Sequence, residues 1–412
     1  MKYTIQSPEK LTSACIALPA SKSISNRALI LKALSKSSFA IDNLSDCDDT
    51  EVMIAAFASG SYEINIGAAG TSMRFLTAYL AQLEGEEHII TGTERMKNRP
   101  VRILVDALRK LEANIEYLEK EGFPPMKIKG KKLNGGTISL DGSISSQYIS
   151  ALMMIAPNTT EGLTLQLEGN IISRPYIYMT CQMMHNFGIQ VQWENNIVCI
   201  NPQQFHPVSY LVESDWSAAS YWYEILALTP NCVEIELLGL QKKSAQGDAK
   251  IEELFDCLGV STTYTEKGVC ISKNTNRPDK FVYDFVNEPD MAQTFAVTCC
   301  FLNIPFRFTG LQSLKIKETD RISALQKELK KLGYIIADYD NSILEWNGEQ
   351  CEPEKNPVID TCEDHRMAMA FAPVALTLGK IIINEPQVVS KSYPNYWEDL
   401  RKVGFNISEG NF

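Results

Sequence analysis

The sequence predicts a mixed α/β protein built from one repeated β/α unit and divided into two domains. Three observations carry that prediction. First, a Gly follows a helix-like segment and precedes a β-rich run at Phe187-Gly188, Leu258-Gly259, Leu332-Gly333 and Val403-Gly404. Successive glycines at 188, 259, 333 and 404 are 71, 74 and 71 residues apart. Gly is the residue a helix C-terminus takes where the chain turns left-handed. Second, short strand-like runs surround these helices at 62–66, 87–92, 136–140, 163–169 and 232–239. Leu163, Leu165 and Leu167 alternate with the period of two that a half-buried strand requires. Third, 412 residues are too many for one hydrophobic core.

The elements follow in order. Two weaker copies of the helix–Gly–strand joint precede the four clear ones. They are Phe57-Ala58-Ser59-Gly60 and Leu111-Glu112-Ala113-Asn114-Ile115, the second with Glu112 in place of Gly. Six copies result. Residues 251–258 and 322–332 supply the helical pattern before two of the later joints. No low-complexity linker divides the chain, so the domains are expected to be joined by chain crossings. The late crossing is expected in the polar stretch 241–248. One domain would comprise residues 1–18 plus 246–412, and the other residues 19–245.

Composition narrows the function classes. Hydrophobic residues make up 45% and charged residues 22%, both ordinary for a soluble globular chain. No apolar run approaches the ~20 residues of a membrane span. The N-terminal residues 1–13 lack the apolar core of a secretion signal, so a cytoplasmic location is expected. Eleven cysteines without a CxxC pair fit free thiols in a reducing compartment. His88, His185, His206 and His365 lack metal-binding spacing, so no metal site is expected. A net charge of −11 disfavours nucleic acid.

Against that acidic average, cationic and hydroxyl-rich motifs recur just before helices. LPASKSISNRA (18–28) reads as strand end, polar loop and helix, with Lys22, Ser23 and Arg27 at the junction. A helix N-terminus presents unpaired N–H groups to anions, and Lys, Arg and Ser add further donors. IGAAGTSMRFL (66–76) offers a close backbone approach at its glycines. Arg74 there faces the positive helix end, which favours an anion nearby. ERMKNRP (94–100) places Arg99 before a helix opened by Pro100, while Arg95 and Lys97 read as a solvated turn. GSISSQYISAL (142–152) contributes Ser145, Ser146 and Gln147, and ISRPYI (171–176) contributes Ser173, Arg174 and Tyr176. Further on, NEPDMAQTFAV (287–297) sets Asp290 at a helix start. KIKETDRISAL (315–325) is a mixed-sign run of the kind usually found on solvated helix faces. EDHRMAMAFA (363–372) sets Asp364, His365 and Arg366 against an apolar, hence buried, helix. SKSYPNYWEDL (390–400) adds Lys391. Both halves contribute, so an anionic ligand is expected between the domains.

The ordered set LPASKSISNRA, GAAGTSMR, RMKNRP, SSQY, ISRPYI, KETDR and DHRMAMA resembles the 5-enolpyruvylshikimate-3-phosphate synthase family, from about residue 5 to 405. No single motif is decisive; seven in order are specific. The resemblance implies the enolpyruvyl transferase fold, an inside-out α/β barrel. That fold has two similar domains, each of three βαβαββ units, joined by a two-strand hinge. It also implies a reaction: the 5-hydroxyl of shikimate 3-phosphate adds to C2 of phosphoenolpyruvate, and the tetrahedral intermediate loses phosphate. No metal or organic cofactor is implied. The setting would be aromatic amino acid biosynthesis, with the chain a monomer and a target of glyphosate.

Residue by residue, the resemblance gives Lys22, Ser23, Arg27, Ser145, Ser146, Gln147, Ser173, Tyr176, Asp290, Ser313 and Lys317 to shikimate 3-phosphate. It gives Lys22, Gly70, Arg99, Gln147, Arg321, Arg366 and Lys391 to phosphoenolpyruvate. Asp290 would accept the 5-hydroxyl proton. Glu318 would shuttle the proton at the methylene carbon, with Lys22 and Lys391 assisting. Domain closure would expel water and complete the site. Four positions depart from the family pattern: Ala68 for Asn, Phe75 for Pro, Ser313 for Asn and Arg174 for Lys. The first two flank the expected phosphoenolpyruvate pocket and bear on its glyphosate sensitivity. The sister transferase acting on UDP-N-acetylglucosamine is the nearest alternative. It typically carries Asn beside the early Lys and a loop Cys, whereas here Ser23 follows Lys22 and residues 84–100 hold no Cys. A non-catalytic sugar-phosphate-binding relative would be expected to lack Asp290 or Glu318; both are present.

Overall fold

The computed structural model describes residues 1–410, apart from the Ile316 side chain. Met1–Pro19 and the chain from Glu213 onward form one compact unit, and Ala20–Val212 forms the other. The late crossing therefore lies at 212/213, not in 241–248. The reason is physical. Glu234–Leu238 pairs in parallel with Ala14–Ala17, which holds residues 213–245 in the first unit. The polar stretch expected to hold the crossing instead serves the buried Glu213 carboxylate. It receives bonds from Gln241 N (2.9 Å), Ser244 Oγ (2.6 Å) and Gln246 Nε2 (2.9 Å).

The helices of Ala20–Val212 are α1 (Lys22–Leu34), α2 (Asp48–Ser59), α3 (Gly70–Ala81), α4 (Glu94–Lys97), α5 (Arg102–Lys110), α6 (Ser146–Ile155) and α7 (Arg174–Asn186). Those of the other unit are α8 (Trp216–Leu228), α9 (Ile251–Asp256), α10 (Ala292–Leu302), α11 (Arg321–Lys331), α12 (His365–Phe371), α13 (Ala375–Leu378) and α14 (Tyr396–Lys402).

One strand pattern recurs. Glu63–Asn65 runs parallel to Glu87–Thr91; Met126–Lys129 is antiparallel to it and to Asn114–Tyr117. With α3 and α5 between the strands, this is a βαβαββ unit. Gly136–Asp141, Leu163–Glu168, Gln192–Glu194 and Ile197–Ile200 repeat it around α6 and α7. So do Phe281–Asp284, Phe306–Thr309, Ala337–Tyr339 and Ile343–Trp346 around α10 and α11. Around α12 and α14, the fourth strand is supplied by the N-terminus. Lys2–Gln6 lies between Lys380–Asn384 and Asn406–Gly410. Among the described residues, the third sheet of Ala20–Val212 is reduced to Ile41–Asp42 beside Tyr210–Leu211.

The six expected joints are all left-handed. Gly60, Gly188, Gly259, Gly333 and Gly404 have φ of 55°, 84°, 95°, 98° and 106°, and Glu112 takes φ 69° in the same place. The repeat imposes that conformation even where the residue is not Gly. In each unit the helices between parallel strands are buried almost all round. Every residue of α8 and α12 is buried, as are all but Tyr79 of α3. A helix apolar on all faces belongs inside; here α1, α3 and α6 pack together, as do α8, α10 and α12.

Candidate active site

α1 begins at Lys22, so the polar run 22–27 forms the helix's first turns rather than a loop before it. Ser21 is its extended N-cap, and the Ser25 N–H bonds the Ser21 carbonyl at 2.8 Å. Side chains then tie neighbouring helix starts together. Thr50 Oγ1 donates to Asn26 Oδ1 (2.9 Å), and Ser25 Oγ accepts from Ser45 N (3.0 Å). Ser72 Oγ donates to the Asp49 carbonyl (2.6 Å), and Gln147 Nε2 donates to Thr71 Oγ1 (3.1 Å). The beginnings of α1, α2, α3 and α6 are thereby fixed in one polar bed.

Two buried guanidiniums lie in that bed. Arg27 donates to Thr180 Oγ1 (2.7 Å), the Ser23 carbonyl (2.9 Å), Ser150 Oγ (3.1 Å) and the Tyr176 carbonyl (3.4 Å). Its Cζ lies 5.3 Å from the Phe75 ring centroid. All four acceptors are uncharged, and burial pulls its pKa down to about 10. Arg74 donates to the Gly70 carbonyl and to Gln147 Oε1, both at 2.9 Å, and lies over Tyr148 at 5.0 Å. The first-turn cation thus turns to protein acceptors, which answers part of the anion argument made for it. A Cβ at Gly70 would lie 2.5 Å from Arg99 Nη1 and 2.9 Å from Arg74 Nη1. A side chain at Gly70 would therefore push at least one of these guanidinium ends out of place.

The other expected residues of this unit border the bed. Ser145 caps α6 by accepting from Gln147 N at 3.4 Å, and Ser146 is buried beside it. Ser173 precedes α7 in the left-handed region (φ 54°, ψ 38°) without using its hydroxyl as a cap. Tyr176 and Lys22 are half-buried in the first turns of α7 and α1. Lys97 forms ion pairs with Glu119 (3.1 Å) and Glu94 (3.3 Å), as a solvated turn would.

The second unit gathers its expected residues around Arg321, which is only 1% exposed. The mixed-sign run is therefore not a solvated face, although Lys315 and Asp320 do pair outward at 3.8 Å. Arg321 Nη1 meets Asp290 at 2.7 Å, Nη2 meets Glu318 at 2.8 Å, and Nε meets Asp364 at 2.7 Å. Asp290 also receives Arg366 at 3.0 Å and Lys317 at 3.5 Å. Lys391 Nζ lies 3.8 Å from Glu318. Burial would raise the Asp290 carboxyl, but Arg366, Lys317 and Arg321 overcome it and hold the group well below the usual range. Ser313 lies in the 3-10 helix Gln312–Ile316, and the described hydrogen bonds do not join it to this cluster.

Several residues outside the set given by the resemblance also take part. Asp364, fully buried, caps α12 through the Arg366 N–H (2.9 Å) while holding Arg321. Its motif was visible, but its partner 43 residues away was not. Ser150 and Thr180 follow Ser146 and Tyr176 by one helical turn, a spacing that puts them on the same face. Asp248 and Glu288 add buried carboxyls raised, chiefly by burial, to about 6 and about 7.

Comparison with known proteins places this arrangement. The pattern of the family described as EPSP synthase (3-phosphoshikimate 1-carboxyvinyltransferase) matches residues 5–59 and 54–400. A 3-phosphoshikimate 1-carboxyvinyltransferase of Bacteroides fragilis (strain YCH46) is 58% identical over 411 residues, covering 100% of both chains. One from Psychromonas ingrahamii is 36% identical over 436 residues, covering 98% of this chain and 100% of its own. The solved EPSP synthase of Acinetobacter baumannii superposes with a TM-score of 0.79 at 19% identity, covering 99% of this chain and 100% of that one. That last likeness is one of fold.

Proposed function

The chain belongs to the EPSP synthase family, and we propose that it transfers the enolpyruvyl group of phosphoenolpyruvate to the 5-hydroxyl of shikimate 3-phosphate, releasing phosphate. The observation that carries this reading is the Asp290–Arg321–Glu318 cluster. One carboxylate is held ionised by three cations, and a second lies beside Arg321 and Lys391.

Two multiply charged anions repel each other, so the reaction needs fixed cations where charge accumulates. Arg99, Arg321, Arg366 and Lys391 would receive the phosphoenolpyruvate carboxylate and phosphate beside Gly70 and Gln147. Lys22, Ser23, Arg27, Ser145, Ser146, Ser173, Tyr176, Ser313 and Lys317 would hold shikimate 3-phosphate. The cations on Asp290 are the same ones the substrates' anionic groups call for. Drawing them onto substrate restores basicity to Asp290, which a strongly suppressed carboxylate lacks. Asp290 then accepts the 5-hydroxyl proton as the oxygen bonds to C2, while Glu318, with Lys22 or Lys391, supplies a proton to the methylene carbon. In the second step the C2–O bond to phosphate breaks and the methyl carbon returns a proton, re-forming the double bond.

On this reading the chain acts as a monomer. Eleven unpaired cysteines suit a reducing cytoplasm. No helix among the described residues is long and apolar enough to cross a membrane. The test is phosphate release from phosphoenolpyruvate with and without shikimate 3-phosphate, with product identified by phosphorus NMR. Release requiring both substrates is expected. Saturable binding of shikimate 3-phosphate without release would overturn the reading.

A further inference from the structure

We propose that Phe75 is a positioning residue for the shikimate 3-phosphate subsite, its ring face carrying the Arg27 guanidinium in place of a counter-ion. The proposal rests on the binding role given to Arg27 above. Phe75 is buried on α3, directly after Arg74 and five residues after Gly70. Its ring centroid lies 5.3 Å from Arg27 Cζ. A guanidinium over an aromatic face is attracted by the ring quadrupole, and more strongly when water is excluded. Arg27 is 1% exposed, and its four acceptors are two hydroxyls and two carbonyls.

A carboxylate in that position would stabilise the cation more, but it would also neutralise it and compete with an arriving anion. Arg321, paired with Asp364, shows what that alternative looks like. A ring stabilises the charge and leaves its positive potential in place. The other buried guanidinium of the bed is treated alike, since Arg74 lies over Tyr148 at 5.0 Å. Because Phe75 belongs to α3, it also ties the setting of Arg27 on α1 to the helix that bears Gly70 and Arg74.

The test replaces the ring's electrons without changing its shape. Phe75 is exchanged for 4-fluoro- and then 3,4,5-trifluorophenylalanine, and shikimate 3-phosphate binding is measured by calorimetry alongside steady-state rates. Kd and KM for shikimate 3-phosphate should rise stepwise, by about tenfold at the trifluoro ring. The KM for phosphoenolpyruvate, whose expected pocket Phe75 also flanks, should rise less than that for shikimate 3-phosphate at every step of the series. Phe75→Leu, which keeps apolar bulk and discards the face, should fall at or beyond the trifluoro value. A Kd that stays flat across the fluorinated series would overturn the proposal and leave Phe75 as packing alone. So would equal losses for both substrates. A wild-type chain that fails to bind shikimate 3-phosphate would instead bring down the functional reading, and this one with it.

Discussion

In Ala20–Val212 the buried guanidiniums of Arg27 and Arg74 meet hydroxyls, carbonyls, an amide and ring faces; in the other unit Arg321 and Arg366 meet carboxylates. The same side chain therefore does two jobs. A cation resting on neutral acceptors takes up an anion without displacing a charge. A cation resting on a carboxylate must loosen that contact, and the carboxylate's proton affinity then rises. The first arrangement suits binding and the second suits coupling of binding to proton transfer. The folds of the two units are alike, so the difference arises from what a few helix starts carry.

The largest effect expected from this contrast is at Asp290. Asp290→Asn keeps the size of the side chain and removes its basicity. Turnover should fall by about a thousandfold, within the range for loss of a general base. Affinity for shikimate 3-phosphate, measured by calorimetry, should change by only a few-fold, because Arg27 and its neighbours belong to the other unit and are untouched. Lost affinity with turnover preserved would erase the division between cations held for binding and cations tied to proton transfer.

That division was only partly legible in the sequence. The repeat could be read because a helix end that turns left-handed asks for Gly, and even Glu112 was found in register with the glycines. The strand that completes the last sheet could not be read that way. Lys2–Gln6 pairs with Lys380–Asn384 and Asn406–Gly410, a register decided over nearly the whole chain. The late crossing was misplaced because polarity was taken for solvent exposure, whereas Gln241, Ser244 and Gln246 face the buried Glu213. For the candidate site, motif and resemblance name candidate residues but not their partners. That Arg27 rests on neutral groups, and that Asp364 holds Arg321, are facts of packing between segments distant in sequence.

A sharper probe of the neutral half is Gly70→Ala. The added methyl would lie 2.5 Å from Arg99 Nη1 and 2.9 Å from Arg74 Nη1, so at least one guanidinium must move. Gly70 carries no left-handed φ, so the backbone accepts Ala and the effect is local. The KM for phosphoenolpyruvate should rise by at least about tenfold, the scale on which a displaced charged contact is felt. The Kd for shikimate 3-phosphate should stay within about twofold. Equal weakening of both substrates would mean that the bed responds as one body.

The smallest effect concerns pH, and it should be confined to the carboxylate-bearing unit. Burial raises Glu288 from 4.5 to about 7, with the Tyr283 hydroxyl donating to it at 3.0 Å. A carboxyl whose folded pKa is raised adds stability that is fully present below its unfolded pKa and is lost as pH rises through the folded value. Unfolding of this unit should therefore become easier between about pH 5 and 8. Asp248, raised to about 6, adds to the same slope. Asp290 is shifted the other way, and its contribution is lost only in acid below that window. Glu288→Gln should match the wild type near pH 5 and exceed it near pH 8 by on the order of 2 kcal/mol, because the penalty of ionising a buried acid is gone. Urea unfolding followed by tryptophan fluorescence suits the measurement, since Trp216, Trp222, Trp346 and Trp397 all belong to this unit. A variant with the wild-type slope would mean that Glu288 ionises without cost, and that the contrast between the units stops at the substrate-facing cations.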